Sequence, residues 1–254
     1  MTDNDLLKIS FSCIDNTTLE GSDTTERIET LCNNSLRLHD AAKGIAHVAS
    51  VCVYPVFVRQ AKRLLDGSGV HTACVAGAFP AGQSPIDVKL AEIRYAVAEG
   101  ADEVDMVISR GALIEGREQQ VYDEIAAIRA ATKGRILKVI LETGELPSLD
   151  IIRQASQIAI AAGADFIKTS TGKIKVGATP EAAEVMLNAI YENYKTTGSM
   201  VGLKVAGGIS TPEQALQYAR MAYNIMGDKY FDKHHFRIGA SRLVTTLYDY
   251  LMAR

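Results

Sequence analysis

The segment "DIIRQASQIAIAAGADFIKTSTGK", residues 150–173, decides the fold. Its first half carries apolar residues at three- and four-residue spacing up to Gly163, the pattern of a buried helix face that ends on glycine. Its second half contains the short apolar run "FIKTST" (166–171), which reads as a buried strand. A helix leading straight into a buried strand is the repeating unit of a parallel sheet. The same order occurs upstream, where "PIDVKLAEIRYAVAEG" (85–100) runs into "EVDMVIS" (103–109). "AEGADEV" at 98–104 and "AAGADFI" at 161–167 are offset by 63 residues, which is two units of a weak internal repeat.

Six further runs are expected as strands: "ISFSCID" (9–15), "HVASVCVYP" (47–55), "HTACVAGAF" (71–79), "RILKVILET" (135–143), "VGLKVAGG" (201–208) and "RIGAS" (237–241). A helix fits every gap. Eight units of about 32 residues fill the 254-residue chain without a linker or low-complexity break, so one (β/α)₈ TIM barrel over residues 1–254 is the expected α/β architecture. An open doubly wound sheet is the alternative.

Composition narrows the partner. The chain is 47% hydrophobic and 22% charged with a net charge of −3, which provides no basic field for nucleic acid or an anionic membrane. No stretch approaches 18 uninterrupted apolar residues, and the start "MTDNDLLKIS" lacks the basic and apolar regions of a signal peptide. A cytoplasmic protein acting on a small molecule is the expectation. Cys13, Cys32, Cys52 and Cys74 lie about 20 residues apart in apolar surroundings, as reduced buried thiols would.

The polar residues within the runs point to chemistry. Strand residues two apart share a face, so Phe166, Lys168 and Ser170 face together, as do Gly202, Lys204 and Ala206, and Glu103, Asp105, Val107 and Ser109. Active sites of such barrels sit at the C-terminal ends of the strands, where Lys168, Lys204 and Asp105 would converge. The competing reading is structural: a rim lysine extending to solvent, with an aspartate that balances it. Two lysines on consecutive strands should repel, which favours the unprotonated, nucleophilic amine. A free lysine titrates near 10.4, and lowering that to roughly 7–8 exposes a useful neutral fraction for Schiff-base formation.

Other positions leave alternatives open. Lys138 and Glu142 share a face of the fifth run, as a structural ion pair or as site residues. Asp15, followed by "NTTL", either binds a substrate hydroxyl or caps the next loop. Thr17, two residues past the first run, and Thr171, at the end of the sixth, are candidate substrate contacts. Cys52 either lines the pocket floor or is a small buried hydrophobe. His234 and His235 are adjacent, so their side chains diverge, and they read as loop residues without a third metal ligand nearby.

Three glycine loops follow the last three runs: "STGK" (170–173), "AGGIST" (206–211) and "GASR" (239–242). Glycines admit backbone N–H groups close to an anion, and a helix N-terminus adds partial positive charge. Gly172, Lys173, Gly207, Gly208, Ser210, Gly239, Ala240, Ser241 and Arg242 are therefore candidate phosphate ligands. Ser210 or Thr211 would cap a helix with Pro212 at its first position. "TGK" is not a Walker loop, because Ile167 and Ile174 stand where that motif requires Gly and Ser or Thr.

With "GADEVDMV" (100–107), "LKVILETGEL" (137–146), "GADFIKTSTGK" (163–173), "GLKVAGG" (202–208) and the early "IDNTTL", the sequence resembles the 2-deoxyribose-5-phosphate aldolase family. The resemblance implies reversible cleavage of 2-deoxy-D-ribose 5-phosphate to acetaldehyde and D-glyceraldehyde 3-phosphate, with no metal or other cofactor. It implies Lys168 as the Schiff-base lysine, Lys204 as the lysine that depresses its pKa, Asp105 as the proton-relay carboxylate, and a homodimer. Two departures stand out. Ser210 replaces a basic residue common in relatives, and Arg242 replaces a usual serine, so Arg242 is expected to supply the charge that Ser210 does not. Val205 replaces a common proline, and the chain stops at "YLMAR", without the tyrosine-terminated tail of some relatives. An aldolase for a different aldol and a non-catalytic sugar-phosphate sensor remain the rival readings.

Overall fold

Eight short stretches rich in Val, Ile, Ala and Cys pair through parallel ladders and leave no free edge. In the computed structural model, which describes all of Met1–Arg254, β1 (Ile14–Thr17), β2 (Ser50–Val53), β3 (His71–Ala76), β4 (Glu103–Val107), β5 (Ile136–Ile140), β6 (Phe166–Lys168), β7 (Gly202–Ala206) and β8 (Phe236–Ala240) close in sequence order. β8 returns to β1, completing a (β/α)₈ barrel. Helix α1 (Asp3–Ser12) precedes the barrel. Helices α2 (Thr25–Arg37), α3 (Val58–Leu64), α4 (Ile86–Ala98), α5 (Arg110–Ile114), α6 (Glu118–Ala131), α7 (Leu149–Ala161), α8 (Pro180–Thr197) and α9 (Pro212–Met226) fill the gaps, and α10 (Leu243–Met252) follows β8.

The first strand begins later than its run suggests. Thr2 and Asp5 form a reciprocal capping box, and Leu6, Leu7 and Phe11 bury one helical face, so residues 9–12 complete α1 instead of opening a strand. β8 begins one residue before its run, at Phe236, whereas most of the other strands are shorter than their runs, chiefly because C-terminal residues leave the ladder to build loops. Glu142 shows this most clearly: it sits past β5 with φ of 56°, in the left-handed region. Elsewhere the local signals operate as read. Gly100 and Gly163 take positive φ between helix and strand, and Thr211 caps α9 with Pro212 at its first position.

The two faces of the strands differ sharply. Outward residues such as Val51, Cys74, Met106, Val139, Ile167, Leu203 and Ile238 join one cluster of 61 buried apolar residues between barrel and helices. Only four apolar residues, Leu19, Cys52, Ala73 and Val75, form the cluster inside. Beside these and the buried Phe166 ring, the interior holds a buried charged set. Gly239 makes room for it, since a Cβ there would lie 3.0 Å from Lys204 Cε. No helix is long and apolar enough to cross a membrane.

Candidate active site

Strand register brings the charged residues together. Asp105 on β4 lies opposite Lys138 on β5, while Lys168 on β6 lies opposite Lys204 on β7, which in turn lies opposite Arg237 on β8. All five are buried, together with Asp15 and Glu103. Lys168 Nζ donates to Asp105 Oδ2 at 2.8 Å and Lys204 Nζ donates to the same oxygen at 2.7 Å. Lys138 Nζ donates to Asp105 Oδ1 at 2.8 Å and also pairs with Glu103. Lys204 Nζ lies 2.6 Å from Asp15 Oδ2. Below, the Arg237 fork holds Glu103 with bonds of 2.8 and 3.1 Å and reaches Asp15 Oδ1 at 2.5 Å.

The electrostatics single out one member of this set. Burial lowers the Lys168 pKa and adjacent Lys204 lowers it further, against the pull of Asp105. Burial also disfavours the charged forms of Lys204 and Lys138, but Asp105 and Asp15 together outweigh it for Lys204, and Asp105, Glu103 and Asp15 do so for Lys138, so both are raised. Arg237 is likewise raised despite burial, by Asp15 and Glu103. For Asp105 and Asp15, burial is overcome by their cationic neighbours and both carboxyls are held well below the ordinary range. The neighbour repulsion inferred from sequence is thus present, but desolvation is the larger cause.

Counting charges gives the same answer independently. The connected set contains four bases, Lys138, Lys168, Lys204 and Arg237, against three acids, Asp15, Glu103 and Asp105. Uncompensated charge in a low-dielectric interior is costly, so the set balances best with one base neutral. Glu142 is also buried but stands outside the ion-paired set; its carboxylate accepts from the Thr171 amide at 3.1 Å and from the Thr171 hydroxyl at 2.5 Å. The expected Lys138–Glu142 pair is therefore absent, because the backbone turn at Glu142 aims it toward β6.

Above this set opens a cavity of about 380 Å³. Lys168 forms its floor. Thr17, Thr171, Gly172, Lys173, Gly207, Gly208, Ser210, Gly239, Ala240, Ser241 and Arg242 line it, so the three glycine loops converge on one cavity. Gly207, at φ of 90°, packs against the Gly177 backbone where a side chain would collide. Asp105, Lys204, Asp15, Lys138 and Cys52 lie beneath the floor and do not line the wall. Asp15 caps no loop; its carboxylate faces Lys204 and Arg237. Burial pushes the Cys52 thiol up to about 11, which leaves it a small buried hydrophobe and a poor nucleophile. His235 Nδ1 lies 3.0 Å from Asp232 Oδ1 in the loop before β8.

The buried acids make folding sensitive to acid. Burial works against the Glu103 carboxylate, but Lys138 and Arg237 bring its pKa from 4.5 down to about 2. A depressed carboxyl contributes stability that is present above its unfolded pKa and lost as pH falls through its folded one. Stability is therefore expected to drop between about pH 4.5 and pH 2. In urea unfolding across that window, Glu103→Gln should reduce the slope of stability against pH by up to about 1.4 kcal/mol per unit; an unchanged slope contradicts the assignment.

A profile of the DeoC/LacD family aldolases matches residues 9–243, nearly the whole barrel. The chain belongs to the DeoC/LacD aldolase family. Among solved structures, a Coccidioides immitis protein provisionally described as a deoxyribose-phosphate aldolase is 33% identical, with a TM-score of 0.81 over 96% of this chain and 86% of that one. A protein described as QR15, an aldolase, is 30% identical, with a TM-score of 0.77 over 96% of each chain. The tetrameric deoxyribose phosphate aldolase of Aeropyrum pernix is 27% identical, with a TM-score of 0.74 over 100% of this chain and 94% of that one. Family and fold together support a lyase.

Three residues of this family member escaped the sequence reading. Glu103 was visible only as a strand position sharing the face of Asp105 and Arg237 only as the first residue of the last run, and their pairing across 134 residues depends on closure of the barrel. Glu20 was unmarked in sequence. It lines the cavity mouth and holds Lys173 Nζ at 3.0 Å, so Lys173 is a partnered charge in this conformation.

Proposed function

We propose that this chain is a class I deoxyribose-phosphate aldolase, reversibly cleaving 2-deoxy-D-ribose 5-phosphate to acetaldehyde and D-glyceraldehyde 3-phosphate through a Schiff base on Lys168. The observation that carries this reading is the position of Lys168. Of the seven charged side chains in the connected set it alone lines the cavity, and its pKa alone is moved toward the uncharged form. The Coccidioides and Aeropyrum relatives favour this substrate over other aldols.

The neutral Lys168 amine attacks C1 of the open-chain sugar, and loss of water gives an iminium. Removal of the C3 hydroxyl proton then breaks the C2–C3 bond. Its electron pair moves toward the iminium nitrogen, and D-glyceraldehyde 3-phosphate departs. The remaining enamine takes a proton at its terminal carbon, and water releases acetaldehyde. Asp105 alone is a weak base, because its lysine partners hold it deprotonated. The C3 hydroxyl proton therefore passes through a bound water to Asp105 and Lys204 acting as a unit, and the same unit returns that proton through the water to the terminal carbon of the enamine. The three glycine loops take the phosphate, with Arg242 as the cation on the wall that makes no ion pair within the protein.

Incubation with 2-deoxy-D-ribose 5-phosphate should release acetaldehyde and D-glyceraldehyde 3-phosphate in equal amounts, measured by coupled dehydrogenases. Release of neither product contradicts the substrate assignment. Arg242→Ser should raise KM for the phosphorylated sugar roughly 10- to 100-fold, the value of a charge-assisted contact, and leave KM for free deoxyribose almost unchanged. Equal effects on the two sugars would remove Arg242 from the phosphate site.

A further inference from the structure

We infer that Arg237 and Glu103, sealed beneath the cavity and touching no substrate, are positioning residues that set the charge of Lys168 through the balance of the buried set. The inference rests on the proposed Schiff-base reading and extends it to residues two layers below the reacting atom. Arg237 sits 2% exposed at the bottom of the connected set, and its guanidinium fork binds Asp15 and Glu103 together. Asp15 continues upward to Lys204, and Glu103 continues through Lys138 to Asp105. Both branches end on Asp105 Oδ2 or Oδ1, the carboxylate that also holds Lys168. Arg237 is thus the closing member of a ring of alternating charge, braced further by the Phe166 ring 5.4 Å away.

The physical reason is that charges in a sealed interior are poorly screened. A charge added or removed anywhere in the ring must be answered by a proton elsewhere. Six members resist, since Lys138, Lys204 and Arg237 are stabilised as cations and Asp15, Glu103 and Asp105 as anions. Lys168 is the member that answers. Its own neighbours are Asp105, Lys204 and Cys52, while Glu103 is faced by Lys138 from β5, Arg237 from β8, Asp15 from β1 and His71 from β3, whose Nδ1 lies 2.7 Å from it.

Opposite substitutions should then move Lys168 in opposite directions. Arg237→Met leaves the set one charge too negative with Lys168 neutral, so Lys168 gains a proton more readily and the acid limb of kcat/KM moves to higher pH. Glu103→Gln leaves it one charge too positive, and the limb moves to lower pH. Each displacement is expected at about one pH unit for an effective dielectric near 20. The double variant, Glu103→Gln with Arg237→Met, restores the count and should return the limb to within a few tenths of a unit of the wild-type position. Running the series again with His71→Asn removes the ring that contacts Glu103 from outside the set.

The test combines kcat/KM against pH with the pH dependence of cyanoborohydride trapping of acetaldehyde on Lys168, located by mass spectrometry. Opposite shifts, cancelled in the double variant, support the inference. Equal losses of activity with no movement of the limb, or movement in one direction only, overturn it. If Arg237→Met fails to fold, Glu103→Gln and the double variant still decide, because the second must reverse the shift of the first. Failure of the wild type to trap acetaldehyde on Lys168 would instead overturn the Schiff-base reading, so the two failures are distinguishable.

Discussion

Lys168→Met is expected to abolish carbon–carbon cleavage, by on the order of 10⁴-fold or more in kcat, while leaving the protein at least as stable as the wild type. The activity loss follows from removing the atom that forms the covalent bond to substrate, and groups of this kind cost several orders of magnitude when deleted. The stability follows from the charge count. A neutral Lys168 contributes no compensating charge to Asp105, which keeps Lys138 and Lys204, so exchanging the amine for a thioether of similar length leaves three acids against three bases. It also removes the cost of deprotonating a buried lysine on folding. Kinetics with 2-deoxy-D-ribose 5-phosphate together with urea unfolding check both halves. A variant destabilised by several kcal/mol would show that Lys168 is a charged structural partner, and one that retains cleavage would exclude it as the nucleophile.

Lys204→Met should behave in the opposite way on stability. This lysine serves Asp105 and Asp15 at once, and both carboxylates lie in the sealed interior. Removing one partner of a buried ion pair typically costs about 3–5 kcal/mol, because the remaining charge is left uncompensated. Lys168 would then take a proton to replace the missing cation. Its pKa rises, so activity at neutral pH should fall roughly 10²- to 10⁴-fold, with partial recovery as pH is raised. The pH profile separates this from a general loss of folded protein, since misfolding does not improve in alkali. A decrease in activity of equal size at every pH would contradict the role assigned to Lys204.

How much of this was legible beforehand depends on which physical scale set each feature. The barrel was legible because its signals are local: helical spacing up to Gly100 and Gly163, followed each time by a short β-branched run. The inward lysines were legible because strand parity is fixed at two residues, so Lys168 and Lys204 had to share an interior if the sheet closed. The start of β1 was not, because "ISFSCID" fits a strand by composition, while the Thr2–Asp5 capping box and the spacing of Leu6, Leu7 and Phe11 extend α1 through Ser12. The partners of Lys138 were also hidden. Sequence placed it beside Glu142, four residues away, but the left-handed turn at Glu142 removes that residue from the strand face. The balancing role of Arg237 required closure of β8 onto β1, which no local pattern encodes. Desolvation as the main cause of the Lys168 shift was hidden for the same reason: burial belongs to the assembled barrel.

The measurement that bears most directly on the central claim is reductive trapping. The protein is mixed with 2-deoxy-D-ribose 5-phosphate at neutral pH, reduced with borohydride, digested and mapped by mass spectrometry. The account predicts an ethyl group on the Lys168 amine, the reduced acetaldehyde imine, and its loss in Lys168→Met. A protein that cleaves the sugar yet carries no adduct at Lys168, or carries it on Lys204 or Lys138, would contradict the account.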